Sequence, residues 1–226
     1  MPRPIKILII AIFLTSCKSK SQNKIDVSKS LRLFKEGTDL LKQGFTADFS
    51  DSLAGQKYYK HAIDKFNGAY NSDTTNVQLG TYLSDLYFTT QQYDSALIWA
   101  LRMFAFDSIT YYKDNSTTIS HNYSFIGSCY LYEGDLQNGE KYFHLALNAD
   151  SHQVNNLTHT LSDIADKFYY KTFPSQIEEL KRKNISPCKY SLDILYLGLS
   201  IGRAEKMAKN FLFTEEKFTE REKNCR

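Results

Sequence analysis

The feature that most constrains this chain is a recurrence. Three times, small and aromatic residues return at helical spacing on two successive stretches joined by a short turn. The clearest copy runs from Ser120 to Ser151. At about 100° per residue, Tyr123, Ile126, Gly127 and Tyr130 share one helical face. Gly134-Asp135 makes a turn, and Gly139, Phe143 and Ala146 share one face of a second helix. The preceding copy begins near Val77, with Leu83, Ser84 and Tyr87, a turn at Gln91-Gln92, then Tyr93, Ala96, Ala100 and Met103. The first copy is split. Leu33, Gly37, Leu40 and Gly44 suit one helix and its end, while Tyr59, Ala62, Ile63, Phe66, Ala69 and Asp73 suit the next. An insertion, FTADFSDSLAG, separates them. Units that each leave an apolar face uncovered must stack on one another. The pattern therefore predicts an all-α fold, an α-solenoid of about three helical hairpins. Four Pro and ten Gly in 226 residues agree with helices rather than a loop-rich β fold.

The unit resembles the tetratricopeptide repeat, two antiparallel helices in about 34 residues. Gly127 and Gly139 stand where that family's two helices cross closely, and Ser84 with Ala96 is the equivalent pair one copy earlier. Tyr130, Phe143 and Ala146 match its aromatic and small packing positions, and Ser151 replaces its closing proline. The second and third copies are offset by 43 residues, so extra residues fall in 106–119, where YYKDNSTTIS reads as a loop. The resemblance covers residues 30–153, as copies near 30–76, 77–119 and 120–153. It implies a groove, lined by the first helix of each hairpin, that takes a protein or peptide partner.

The N-terminus reads as an address. Arg3 and Lys6 precede an unbroken apolar run from Ile7 to Leu14. That run is too short for a bilayer span, which needs about 20 apolar residues, and has the size of a signal-peptide core. Leu14-Thr15-Ser16-Cys17 follows and resembles a bacterial lipobox. In that class the Cys, here Cys17, is acylated on sulfur after cleavage before it. Residues 1–16 are then a removed signal and 17–29 a polar tether, KSKSQNKIDVSK after the Cys. Cleavage removes Arg3 and Lys6 and takes the formal charge from +3 to +1. Lys18, Ser19 and Lys20 depart from the acidic surface-export signal of some Bacteroidota lipoproteins. The expected place is the cell envelope, lipid-anchored in the outer membrane and facing the periplasm.

Beyond residue 153 the repeat fades, and 154–226 is expected to form a helical cap with a charged tail. Val154 to Thr172 reads as a helix with Leu157, Leu161, Ile164, Ala165 and Phe168 inward. Pro174 breaks it, and Ser175 to Glu178 reads as a capping box opening a short helix that ends before Pro187. Ser191 to Phe213 reads as one helix, with Leu192, Leu195, Leu199 and Ala204 available to a core. The charged segment from Phe213 to Arg226 reads as a solvated helix end.

Little in the chain points to catalysis. Gly198-Leu199-Ser200-Ile201-Gly202 fits the nucleophile-elbow pattern, but that site needs a strand before the serine and a His after it. The last histidine is His159. His61, His121, His144, His152 and His159 show no metal-site spacing, and no phosphate-loop or dinucleotide glycine pattern occurs. No catalytic residue, metal or cofactor is expected. A formal charge of +3 gives no basis for nucleic-acid binding. Cys129 reads as a small buried apolar residue. Cys188 and Cys225 remain, and in an oxidising compartment they either bridge, pinning the charged tail to the body, or stay as free thiols.

Facing away from the packing residues, the first helices present Gln78, Asp85 and Thr89, then His121, Ser128 and Tyr132, with Leu31, Thr38 and Lys42 in the first copy. This face lacks the Lys/Arg cluster that would clamp a carboxylate terminus. The expected function is a non-enzymatic, lipid-anchored adaptor holding a protein or peptide of the envelope. The alternatives are a glycan- or small-ligand-binding lipoprotein, which calls for exposed tyrosines in the groove, and an enzyme using Ser200.

Overall fold

The computed structural model describes residues 25–49, 51–76, 78–110, 115–204 and 208–225. Within them every regular element is helical. The helices are α1 (Val27–Asp48), α2 (Ser52–Ser72), α3 (Gln78–Thr89), α4 (Tyr93–Thr110), α5 (Ser116–Tyr132) and α6 (Leu136–Ala149). A single 3₁₀ turn (Ser151–Gln153) leads into α7 (Val154–Tyr169), α8 (Pro174–Arg182), α9 (Pro187–Ala204) and α10 (Ala208–Cys225). Helices α1 and α2, α3 and α4, and α5 and α6 pack as pairs. Each pair leans on the next through α2 with α3 and α4 with α5, which makes a solenoid-like stack. At its C-terminal end α9 packs on α7, and α10 packs on both.

The 43-residue offset is written in the backbone. At the end of α3, Gln91 has φ 59° and the Gln92 N–H donates to the Tyr87 carbonyl at 2.8 Å. At the end of α5, Gly134 has φ 76° and the Asp135 N–H donates to the Tyr130 carbonyl at 2.9 Å. Both are left-handed helix stops that satisfy the last free carbonyls. The first copy matches the third in its second helix. Phe66 and Ala69 correspond to Phe143 and Ala146, all fully buried, and Asp73 and Asp150 end α2 and α6 with the same extended backbone.

Close helix crossing is as expected at the third pair. A Cβ on Gly127 would stand 2.8 Å from the Phe143 ring and 3.3 Å from the Gly139 carbonyl oxygen. One on Gly139 would run into Leu131 and lie 3.4 Å from the Gly127 carbonyl oxygen. In the first pair aromatic rings take this space instead: Gly37 lies under Phe66 and Gly44 under Tyr59.

Several local expectations are corrected. Gly44 does not end a helix, because α1 runs on to Asp48. The insertion FTADFSDSLAG is mostly helix, since α2 already starts at Ser52, capped by the Asp51 carboxylate on the Leu53 and Ala54 N–H groups. Residues 27–29 of the expected tether belong to α1, where Asp26 caps the Lys29 N–H at 2.9 Å. The expected loop over 106–119 is helical at both ends, with α4 reaching Thr110 and α5 starting at Ser116 under an Asn115 cap. Ser175 does not open α8. Pro174 takes the first helical position, where a missing N–H loses nothing, so the serine lies inside the first turn. The single helix expected over 191–213 is replaced by α9 ending at Ala204 and α10 starting at Ala208.

The charged tail is not a solvated end. Arg221 of α10 is 2% exposed, pairs with Asp166 of α7, donates to Ser191 Oγ of α9 at 3.1 Å and lies over the Tyr169 ring at 4.4 Å. Lys217 also reaches Asp166, at 2.6 Å. The far end of α10 is stapled to the start of α9 by a Cys188–Cys225 disulfide, Cα to Cα 5.7 Å.

Candidate functional site

Helices α3, α5 and α7 line one cleft of about 440 Å³ on the first-helix side of the stack. Its apolar floor is Phe88 from α3, Phe125 from α5 and Leu157 from α7, with the two phenylalanine rings 5.0 Å apart. From α5 come Ser120, His121, Ser124 and Ser128. Gln153, Asn156, His159 and Thr160 form the opposite wall. The cleft lining includes no Lys, Arg, Asp or Glu.

The hydroxyls of the cleft are mostly turned onto their own helix. Ser124 donates to the His121 carbonyl and Ser128 to the Ser124 carbonyl, both at 2.8 Å, while Thr160 donates to the Asn156 carbonyl at 2.9 Å. Their oxygens still have lone pairs to offer a ligand. Ser120 differs. Its residue is fully buried and its Oγ has no hydrogen-bond partner, although it lines the cleft. A buried hydroxyl with no partner carries a desolvation cost that a bound polar group would relieve.

A smaller cleft of about 130 Å³ adjoins it between α3, α4 and α5, with Asp85, Met103, Phe104 and His121 in its lining. His121 belongs to both clefts. The Asp85 carboxyl stands above the usual carboxylate range because surrounding protein displaces its water, and the charge of His121 opposes that shift.

Of the six residues expected to line the groove, three fall in these clefts: Asp85, His121 and Ser128. Gln78 and Thr89 are exposed on α3 outside both linings, with the Thr89 hydroxyl on the Asp85 carbonyl. Tyr132 is a correction. It is 3% exposed, stacked on Tyr93 at 4.3 Å, edge-on to Phe173 and hydrogen-bonded by Lys167 Nζ at 2.9 Å. The end of α5 is covered by the helices that follow, so the open face stops before it. The wall from Gln153 to Thr160 was missed because α7 reads as cap. Its signal was present as polar Asn156, His159 and Thr160 opposite the apolar run of Leu157, Leu161 and Ile164.

Other expected residues are placed as follows. Ser200 lies inside α9 with its hydroxyl on the Leu197 carbonyl at 2.9 Å, which ends the elbow reading. Cys129 is buried and free, and burial pushes its thiol up. His144, His152 and His159 each lie beside a near neighbour in sequence, Glu140, Asp150 and Asp163. Among the described residues no group of three His, Cys, Asp or Glu could hold a metal, and no helix is long and apolar enough to cross a membrane. Cys17 lies outside the described residues. No family model matches the chain, and no curated protein or solved structure matches it either.

Proposed function

We propose that the protein is a lipid-anchored, tetratricopeptide-like adaptor of the bacterial envelope, non-enzymatic, which holds an extended segment of a protein partner in the α3/α5/α7 cleft. The observation that carries this reading is the unpartnered Ser120 hydroxyl in an uncharged cleft with a phenylalanine floor. Hydroxyl and amide groups along the walls suit a peptide backbone, and the floor suits one apolar side chain. The backbone equivalence of α3 and α5 supports the repeat resemblance. The Cys188–Cys225 bridge supports an oxidising compartment. Acylation of Cys17 would confine the adaptor to a membrane surface and raise its effective concentration there. The glycan-binding alternative comes second, because the aromatic rings of the cleft are half-buried Phe88 and Phe125 and not exposed tyrosines.

A photo-crosslinking residue at His121, compared with one at Lys60 on the exposed side of α2, tests the reading in native envelopes. One or two proteins captured from His121 alone, and lost with Cys17→Ser, are expected. Equal capture from both positions, or none from either, would overturn it.

A further inference from the structure

Large apolar side chains on the described surface are unevenly spread. Nine are more than half exposed, and six of these fall between Ile25 and Leu53. They are Ile25, Val27, Leu31, Phe45, Phe49 and Leu53, with Phe49 94% and Leu53 80% exposed. Scattered single residues of this kind are ordinary, but a contiguous set marks a contact surface. At about 100° per residue Val27, Leu31, Phe45 and Phe49 fall within about 40° of one another around α1, two exposed apolar pairs at the ends of a line about 33 Å long, with half-buried Thr38 and exposed Lys42 along it between them. Gly37 and Gly44, which pack under Phe66 and Tyr59, lie on a different side of the helix.

We infer that this stripe rests on the bilayer to which Cys17 is anchored, so the occupant is a lipid surface. The inference rests on the lipid-anchor reading above. Nine residue steps separate Cys17 from Asp26. Fully extended they span at most about 32 Å, so the start of α1 stays within one helix length of the membrane. The two open ends of the hairpin are tied together at that point, because the Asp26 N–H donates to the Ser72 carbonyl at 2.9 Å. Exposed apolar side chains in one line at both ends of a straight helix fit a flat interface, with Phe and Leu entering the headgroup boundary. Lys35 and Lys42 are exposed beside the stripe, where their ammonium groups reach phosphate while their stems lie along apolar surface. Exposed Asp39 lies about 80° around α1 from the nearer edge of the line, and three other acids are engaged: Asp48 with the Tyr59 hydroxyl, and two more. Asp51 caps α2, and Glu36 pairs with Arg32 at 3.1 Å and Lys65 at 2.7 Å.

The test uses the mature chain coupled through Cys17 to a maleimide-bearing lipid in vesicles of phosphatidylethanolamine and phosphatidylglycerol. Cys129 is buried and Cys188 is bonded to Cys225, so Cys17 is the thiol that reacts. In a Trp99→Phe background, where the introduced residue is the single tryptophan, fluorescence of Phe49→Trp is expected to be quenched by brominated acyl chains. The matched change at Ile98, 58% exposed on α4, is expected to show no such quenching. Adding Phe45→Asp and Leu53→Asp is expected to reduce the quenching about tenfold. Equal quenching at both positions, or none at Phe49→Trp, overturns the inference. A dimer of the uncoupled chain that the same aspartates dissociate would instead assign the stripe to a second copy. Mass spectrometry of Cys17 from native cells is read separately. An unacylated Cys17 removes the anchor reading and leaves the vesicle result intact as a measurement of the stripe.

Discussion

Arg221 and Asp166 are 55 residues apart in the chain and joined by an ion pair in the core, with the guanidinium 2% exposed. The pair fixes α10 against α7. Ser191 bridges it to the α7 backbone, donating to the Ala165 carbonyl at 2.8 Å while accepting from Arg221. Lys217 and the Tyr169 and Tyr170 rings lie beside the two charges. A buried ion pair of this kind specifies where a helix docks more than it adds stability, since desolvation offsets much of the attraction.

Removing one partner is a different matter. Arg221→Ala leaves the half-buried Asp166 carboxylate with Lys217 beside it, and is expected to lower unfolding free energy by about 2–4 kcal/mol. Replacing the whole cluster, as Arg221→Met with Asp166→Leu and Lys217→Met, is expected to recover most of that loss, because Lys217 also pairs with Asp166. Urea midpoints of the single and triple variants check this. A triple variant as unstable as Arg221→Ala would mean that the cluster carries net stability.

The Cys188–Cys225 bridge ties the other end of α10, across a sequence separation of 37. In the loop-entropy description such a closure stabilises by about 3–4 kcal/mol. Cys225→Ser is therefore expected to lower the midpoint without abolishing folding, because Arg221 still holds the helix. Limited proteolysis under reducing conditions should release fragments cut within α10 first. A midpoint unmoved by reductant would show that the ion pair alone sets the docking.

The helical periodicity of the repeats was legible because each position is decided by its neighbours three and four residues away. Gly127 and Gly139 announce a close crossing, and Phe66 and Ala69 announce a buried face, with no need to know what lies opposite. What failed was decided at a distance. Arg221 reads as solvated until Asp166 is known to face it. Tyr132 reads as groove until Phe173 is known to cover it. Residues 45–55 read as an insertion because a family repeat is shorter, whereas Asp51 simply starts a longer hairpin. The cleft was half legible for the same reason. His121 and Ser128 lie on a helix recognised as groove-lining, while Asn156 and Thr160 lie on one that reads as cap.

The glycines offer a contrast within one chemistry. Gly127→Ala would press a methyl group onto the Phe143 ring at 2.8 Å and toward the Gly139 carbonyl at 3.3 Å. Overpacking of about 1–3 kcal/mol exceeds the helix-propensity gain of about 1 kcal/mol, so a net loss is expected. At Gly68 the nearest atom is the flexible end of Leu33, at 3.2 Å. Gly68→Ala should then be neutral or stabilise by up to about 1 kcal/mol. Thermal melts of the two variants separate the cases, and a stabilising Gly127→Ala would contradict the close crossing of α5 and α6.

Glu133, at the turn between α5 and α6, gives a pH dependence with a definite sign. Its carboxyl is held above the usual glutamate range, first by burial and then by repulsion from Asp94, with Lys183 opposing. The folded protein therefore binds this proton more tightly than the unfolded chain does. The resulting stability is fully present below the unfolded-state value and is lost as pH rises through the raised folded-state value. Glu133→Gln keeps the shape and removes the titration. It is expected to be more stable than the parent at neutral pH, with the difference closing as pH falls into the ordinary glutamate range. Urea midpoints of both proteins across that window check it. A difference that stays constant with pH would mean that Glu133 acts through its hydrogen bonds and not through its charge.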